Sequence, residues 1–233
     1  VRPGPEVDTD VLVVGGGPVG LAAAIEARLQ GRGVVVVEPR DAPVDKACGE
    51  GLMPGALRQL HRLGVDPAGH VIAGIAYQAG RRRVEHRFAS GAGRGVRRTV
   101  LHQALHDRAL EVGVTVHRGR VTDLALDSES VRALGFRARW LLGCDGLHST
   151  VRRLAGLDRA ASGVRRYGLR AHARVEPWSD SVEVHWAPGC EAYVTPVDAT
   201  TVGVALLGPR GSLSLGATGL ETLRERLSGA PLG

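Results

Sequence analysis

Residues 10–14, DVLVV, form a short apolar run behind one acid, and four successive valines follow at 34–37 before Glu38. Apolar runs of this length read as strands buried on both faces, as in a parallel sheet. Between them Leu21, Ala24, Ile25 and Leu29 recur at helical spacing, which predicts a helix that starts at Pro18 and is closed by Gly31 and Gly33. A second helix is predicted from Pro54, with Leu57, Leu60 and Leu63 inward and Gly64 as its stop. From residue 165 the period changes to two. RYGLRAHARV, SVEVHWAPG, CEAYVTPV and TVGVALLG read as an antiparallel sheet, and residues 75–88 as a hairpin joining it. The pattern therefore predicts an α/β domain (8–74 and 97–160) interleaved with an antiparallel β-sheet domain (75–96 and 161–233), behind a flexible N-terminus at 1–7.

Composition narrows the class. With 233 residues, 43% hydrophobic and 23% charged, the chain can bury a real core. Three Trp, three Tyr and two Phe leave that core to Val, Leu and Ala. Cys48, Cys144 and Cys190 lie far apart and cannot all pair, which favours a reducing, cytoplasmic setting. The absence of a long apolar run predicts a soluble protein with no membrane span. A net charge of +6 invites a nucleic-acid partner, but the arginines are scattered, without interleaved aromatics, and Lys46 is the one lysine among 30 basic residues. No nucleic acid is expected.

The most informative stretch is TDVLVVGGGPVGLAAAIEARLQGRGVVVVE, residues 9–38. Gly15, Gly17 and Gly20 form G-x-G-x-x-G between a strand and a helix. Gly15 permits the tight turn, Gly17 lets backbone approach a diphosphate, and Gly20 lets the helix pack on the strand. Pro18, Val19 and Gly20 open the helix, whose free N–H groups and dipole suit phosphate. Glu38, eighteen residues after Gly20, can accept hydrogen bonds from an adenosine ribose and would repel a 2′-phosphate. This is a Rossmann-type dinucleotide site, suited to FAD or NAD rather than NADP.

RWLLGCDGLHSTVRRLAGL, residues 139–157, decides between the two. It resembles the G-x-D-G-x-x-S-x-x-R segment of FAD-dependent aromatic hydroxylases of the para-hydroxybenzoate hydroxylase type, a superfamily that includes geranylgeranyl reductases and flavin-dependent halogenases. The resemblance implies a Rossmann-type FAD-binding domain of glutathione-reductase-like kind beside a substrate-domain sheet, with Asp145 and Gly146 near the flavin ribityl chain. VRRTVLHQAL, residues 96–105, is similar to the family's R-x-x-L-x-x-x-L helix start, which gives Arg98 a flavin contact. DKACGEGLMP, residues 45–54, is similar to the K-x-C-G-E/D-G-L segment of geranylgeranyl reductases and related monooxygenases. That similarity assigns Cys48, Gly49 and Gly51 to flavin contact, and Pro39 and Arg40, after the second strand, are further candidate cofactor-binding residues.

What the resemblance implies is an FAD-dependent monooxygenase that hydroxylates or epoxidises a small organic substrate. NADH or NADPH reduces the flavin, O2 adds at C4a, and the hydroperoxide transfers one oxygen. No catalytic side chain is assigned, and substrate identity, hydride donor and oligomeric state stay open. The alternatives are a prenyl ene-reductase, a halogenase and a non-catalytic nucleotide-binding fragment. In EAYVTP, residues 191–196, Glu191 and Tyr193 stand where halogenases carry two tryptophans, which counts against the halogenase. Tyr193, Trp186, His172 and His185 are candidate pocket residues. The family's third segment, G-D-A-A with a following proline, is not found, so the chain is expected to match about the first three fifths of a family chain.

Other chemistries are weaker. His102 and His106 stand four apart but have no third ligand, and are expected to be surface histidines. The cysteines lack zinc spacing. Asp145, His148 and Ser149 hold the residue types of a hydrolase triad, but neighbours in one loop are expected to point apart. Cys48 is expected to be a wall residue, since nothing beyond Lys46 points to a reactive thiol.

Overall fold

The computed structural model describes residues 7–159, 163, 165–214, 220–228 and 230. Residues 1–6 of the expected flexible N-terminus lie outside the described residues, and Val7 already belongs to a strand. The chain divides into two compact units, one of Val1–Val44, Arg62–Val65 and Leu101–Ala161, the other of Asp45–His61, Asp66–Val100 and Ser162–Gly233.

The elements of the amino-terminal half are β1 (Val7–Val14), α1 (Pro18–Leu29), β2 (Val34–Glu38), β3 (Gly51–Leu52), α2 (Pro54–Arg62), β4 (His70–Ile72), β5 (Gly74–Ala79), β6 (Arg82–Arg87), β7 (Gly93–Gly95) and α3 (Arg98–Glu111). There follow β8 (Thr115–Arg118), β9 (Ala125–Leu126), β10 (Val131–Ala133), β11 (Phe136–Gly143) and α4 (Thr150–Leu154). The last are β12 (Tyr167–Ala173), β13 (Ser181–Ala187), β14 (Cys190–Asp198), β15 (Thr201–Gly208) and α5 (Glu221–Arg226).

Unit 1 is built on one six-stranded sheet in the order β8-β2-β1-β11-β10-β9. The four strands β8, β2, β1 and β11 run parallel, and β10 and β9 add antiparallel. Val11–Val14 and Val34–Val37 are buried on both faces, as their uninterrupted apolar runs require. One layer of the core gathers Leu12, Val14, Val35 and Val37 with Val131, Phe136, Ala138 and Val151. In α1 the buried side is Leu21, Ala24 and Ile25, whereas Leu29, expected inward, is 48% exposed in the last turn.

Unit 2 contains a six-stranded sheet, β12-β15-β14-β13-β5-β6, and a small sheet, β3-β7-β4. The large sheet is antiparallel except at one junction: β5 and β13 run parallel, Gly74 opposite Ser181 through Ala79 opposite Trp186. The hairpin β5–β6 therefore enters the sheet in the opposite sense from the rest, which alternation along a single strand does not reveal. Successive residues of a strand face opposite sides. Ala173, Ala192, Val194, Val202 and Val204 pack with Leu220, Leu223 and Leu227 beside α5. Their neighbours His172, Tyr193, Thr195 and Gly203 face the other way.

The units differ from the boundaries expected of the sequence. Residues 45–61, 66–74 and 97–100 belong to unit 2. Among them Gly51 and His70 both pair with Gly95 in the β3-β7-β4 sheet, and the Arg98 N–H donates to Glu50.

Candidate functional site

In unit 1 the glycine loop lies between the ends of β1 and β11. Gly15 has φ 107°, and a Cβ there would lie 2.4 Å from the Cys144 carbonyl oxygen and 2.7 Å from the Asp145 nitrogen. A Cβ on Gly20 would lie 1.9 Å from the Gly15 oxygen. The loop is closed on itself by glycine alone. Gly17 is the N-cap of α1, and no side chain caps the helix. Pro18 has no N–H to satisfy, and Val19, 73% exposed, follows it. The first N–H groups of the helix are thus left without a side-chain cap, and such a cradle fits a dinucleotide diphosphate.

Glu38 is buried, and both its oxygens are engaged. Oε2 accepts from the Gly16 N–H at 2.9 Å, and Oε1 accepts from Arg40 Nε at 2.7 Å and the Arg40 N–H at 3.2 Å. Burial pushes its carboxyl up, but the hydrogen bonds from Arg40 and Gly16 outweigh it and hold the group below the usual carboxylate range. A carboxylate has about four acceptor positions, so three bonds leave one for a ribose hydroxyl. Pro39 stands between these two side chains in sequence.

His102 is a correction. The sequence reading put it on the surface, but it is 1% exposed and its Nε2 lies 2.8 Å from the Gly16 carbonyl oxygen. The carbonyl can only accept, so His102 carries its proton on Nε2 and braces the glycine loop. Leu105 and Ala109, three and seven residues on, are also buried. That helical stripe was the signal that His102 points inward. His106 is half-buried.

The second expected segment is brought to the first. Gly143 stands opposite Val14, and the Cys144 N–H donates to the Val14 oxygen at 2.7 Å. Asp145 organises the turn into α4: Oδ1 accepts from Ser149 Oγ at 2.5 Å, and Oδ2 from the Thr150 N–H at 2.6 Å and the Val151 N–H at 3.1 Å. Gly146 follows at φ 87°. Ser149 therefore turns back onto Asp145 instead of pointing away, while its Oγ also accepts from the Arg152 N–H. His148 is exposed. The carboxylate spends its oxygens on capping, so the segment does not make a triad.

In unit 2 the residues 45–51 meet the sheet. Glu50 is buried: Oε1 accepts from the Arg98 N–H at 2.9 Å and Arg170 Nη1 at 2.7 Å, and Oε2 from His172 at 2.8 Å. Arg98 itself is buried, and its backbone amide serves Glu50. Gly49 gives its oxygen to Thr195 Oγ1 at 2.7 Å, and Gly51 begins β3. Lys46 is exposed and Cys48 half-buried. Glu50 is a residue that the sequence does not single out, because its partners lie up to 122 residues away.

Burial raises the Cys48 thiol above its ordinary value, and the Glu50 charge adds to the shift. The thiol form is favoured at neutral pH. Iodoacetamide at pH 7 is therefore expected to alkylate Cys48 more slowly than free cysteine. Peptide mass spectrometry against time checks this, and a rate above that of free cysteine would restore the nucleophile reading.

The four expected pocket residues separate. Trp186, Tyr193 and His172 share one face of the large sheet. Trp186 packs on Tyr77 at 5.4 Å between centroids, and Tyr193 Oη donates to Glu191 at 2.6 Å. His185 is on the opposite face with Glu183. Among the described residues no group of three or more Cys, His, Asp or Glu could hold a metal ion, and no helix is long and apolar enough to cross a membrane.

Residues 8–199 match the FAD binding domain family. The chain belongs to that family. Rifampicin monooxygenase of Rhodococcus hoagii is 33% identical over 162 residues, 63% of this chain and 33% of that protein. Menaquinone reductase of Mycolicibacterium smegmatis is 57% identical over 56 residues, 24% of this chain and 14% of that protein. Among solved structures, the flavin-dependent halogenase CmlS superposes with a TM-score of 0.81 at 20% identity, covering 97% of this chain and 48% of that one. That likeness concerns the fold. The chain spans about one third of the length of the curated relatives it matches first.

Proposed function

We propose that this chain is the FAD-holding part of an FAD-dependent monooxygenase that hydroxylates or epoxidises a small organic substrate with NADH or NADPH and O2. The observation that carries the reading is the uncapped N-terminus of α1, with the Gly15 turn packed against the Cys144–Asp145 backbone. Relatives named as a monooxygenase and as a 3-(3-hydroxy-phenyl)propionate/3-hydroxycinnamic acid hydroxylase, the latter 34% identical over 192 residues, support it.

FAD, when bound, supplies the redox chemistry. The chain supplies binding and orientation. The Val19 and Gly20 N–H groups take the diphosphate, Glu38 takes the adenosine ribose, and Arg40 holds the Glu38 carboxylate in place. Asp145 and Gly146 shape the turn beside Gly15. Cys48, Gly49, Gly51 and Arg98 keep the flavin contact that the resemblance implies.

The test is a titration of the purified chain with FAD, followed by turnover under labelled O2. Bound yellow flavin and one labelled oxygen in the product are expected. A chain that takes up no FAD would overturn the binding role, and product without label would overturn the monooxygenase.

A second reading has its own observation. The 57% identity to menaquinone reductase over 56 residues exceeds that to any monooxygenase cited above. An FAD-dependent reductase of an unsaturated organic substrate would consume reductant and leave labelled oxygen out of the product, so the same experiment separates the two.

A further inference from the structure

Glu50 has φ 58°, in the left-handed region that L side chains avoid, although glycine stands on either side of it. A glycine at position 50 would meet the backbone demand without strain. Something must therefore hold a glutamate there, and the structure shows what. Its side chain is 1% exposed and receives Arg98 N–H, Arg170 and His172.

The socket is directional. Arg97 Nη2 lies 3.2 Å from His172 Nδ1. A guanidinium only donates, so Nδ1 accepts, and the proton sits on Nε2, which donates to Glu50. Arg170 reaches Glu50 with Nη1 and Asp45 with Nη2, each at 2.7 Å, so one guanidinium ties residues 45 and 50 together. Gly203 leaves the space: a Cβ there would lie 2.5 Å from Glu50 Oε2. The backbone is pinned on both sides of the side chain. The Glu50 oxygen accepts from the Val96 N–H at 2.8 Å, and the Gly49 oxygen accepts from Thr195.

We propose that Glu50 is a positioning residue. Its anion, seated among Arg98 N–H, Arg170 and His172, holds residue 50 left-handed and so fixes which backbone groups of Gly49 and Gly51, and which side of Cys48, the loop offers to a bound flavin. The identity of that ligand rests on the proposed function. The shaping of the loop does not.

Glu50→Gln keeps the volume and the backbone demand but removes the charge. Gly203→Ala crowds the Glu50 carboxylate from the sheet and leaves the loop's own sequence unchanged. In both, amide exchange across residues 45–52 of the apo chain is expected to quicken about tenfold or more, while the other strands of unit 2 keep their protection. In both, the visible absorbance of bound FAD is expected to shift from that of the parent chain. Unchanged exchange at 45–52 in the two variants would overturn the positioning role, as would an equal loss of protection across all of unit 2, the mark of a residue that only stabilises. A parent chain that takes up no FAD would sink the flavin assignment and leave the exchange result to decide the role of Glu50.

Discussion

Alanine at Gly20 is expected to destabilise unit 1 by about 3 kcal/mol and to weaken FAD binding about a hundredfold or more. The added Cβ would lie 1.9 Å from the Gly15 oxygen and 3.2 Å from the Cys144 Cβ. Neither neighbour can yield cheaply. The Gly15 oxygen is backbone, and Gly15 is already wedged against the Cys144 carbonyl at φ 107°. Relief requires α1 to move off the loop, which takes its first N–H groups away from the diphosphate position. Gly31→Ala is the control, since φ 77° imposes strain there but no atom lies within 4 Å. It should cost about 1 kcal/mol and leave FAD affinity unchanged. Urea unfolding and a flavin fluorescence titration on both variants measure the difference. Equal effects would mean that close packing at Gly20 is not what shapes the cradle.

That argument could be started from sequence, because all of its features except the Cys144 contact are local. Strand, glycine turn, helix and acid follow one another within residues 9–38, where spacing alone makes them legible. The helix at Pro54 was legible for the same reason: Leu57, Leu60 and Leu63 are buried as their spacing requires, and Gly64 stops the helix at φ 77°.

What the sequence hid is non-local. The strands β3, β4, β7, β9 and β10 have only two or three residues each, too few for a period. They exist because a partner strand is present. The parallel pairing of β5 with β13 joins segments about a hundred residues apart, and no pattern inside either segment specifies it. Glu50 illustrates the same limit at a site. GEG stands in the loop expected from sequence to contact the flavin, and only the fold brings Arg170 and His172 to its glutamate. His102 is different, because the stripe with Leu105 and Ala109 is present in the sequence, and the expectation of a surface residue overlooked the helix face it shares.

Glu183 is expected to account for the largest single loss of stability in unit 2. Its side chain is 2% exposed and carries a charge: Oε1 takes Arg83 Nη1 at 2.9 Å and Oε2 takes His185 Nε2 at 3.0 Å. Burial pushes the carboxyl up, but hydrogen bonds from His185, Arg83 and Trp178 prevail and bring it down to about 2, from an ordinary 4.5. Glu183→Gln keeps the shape and leaves Arg83 and His185 facing a neutral group, at a cost of about 3 kcal/mol at pH 7. The sign with pH follows from the lowered value. The unfolded chain binds the proton first as pH falls, so the contribution is complete above about pH 4.5 and is lost on the way down to about 2. Urea unfolding of parent and variant at pH 7, 4 and 3 should show the gap between them narrowing steadily, while Glu38 and other lowered carboxyls act on both proteins and cancel in the difference. A gap that stays constant down to pH 3 would mean that the charge on Glu183 does not stabilise the fold, and that the pair with His185 and Arg83 is worth no more than the packing of its side chains.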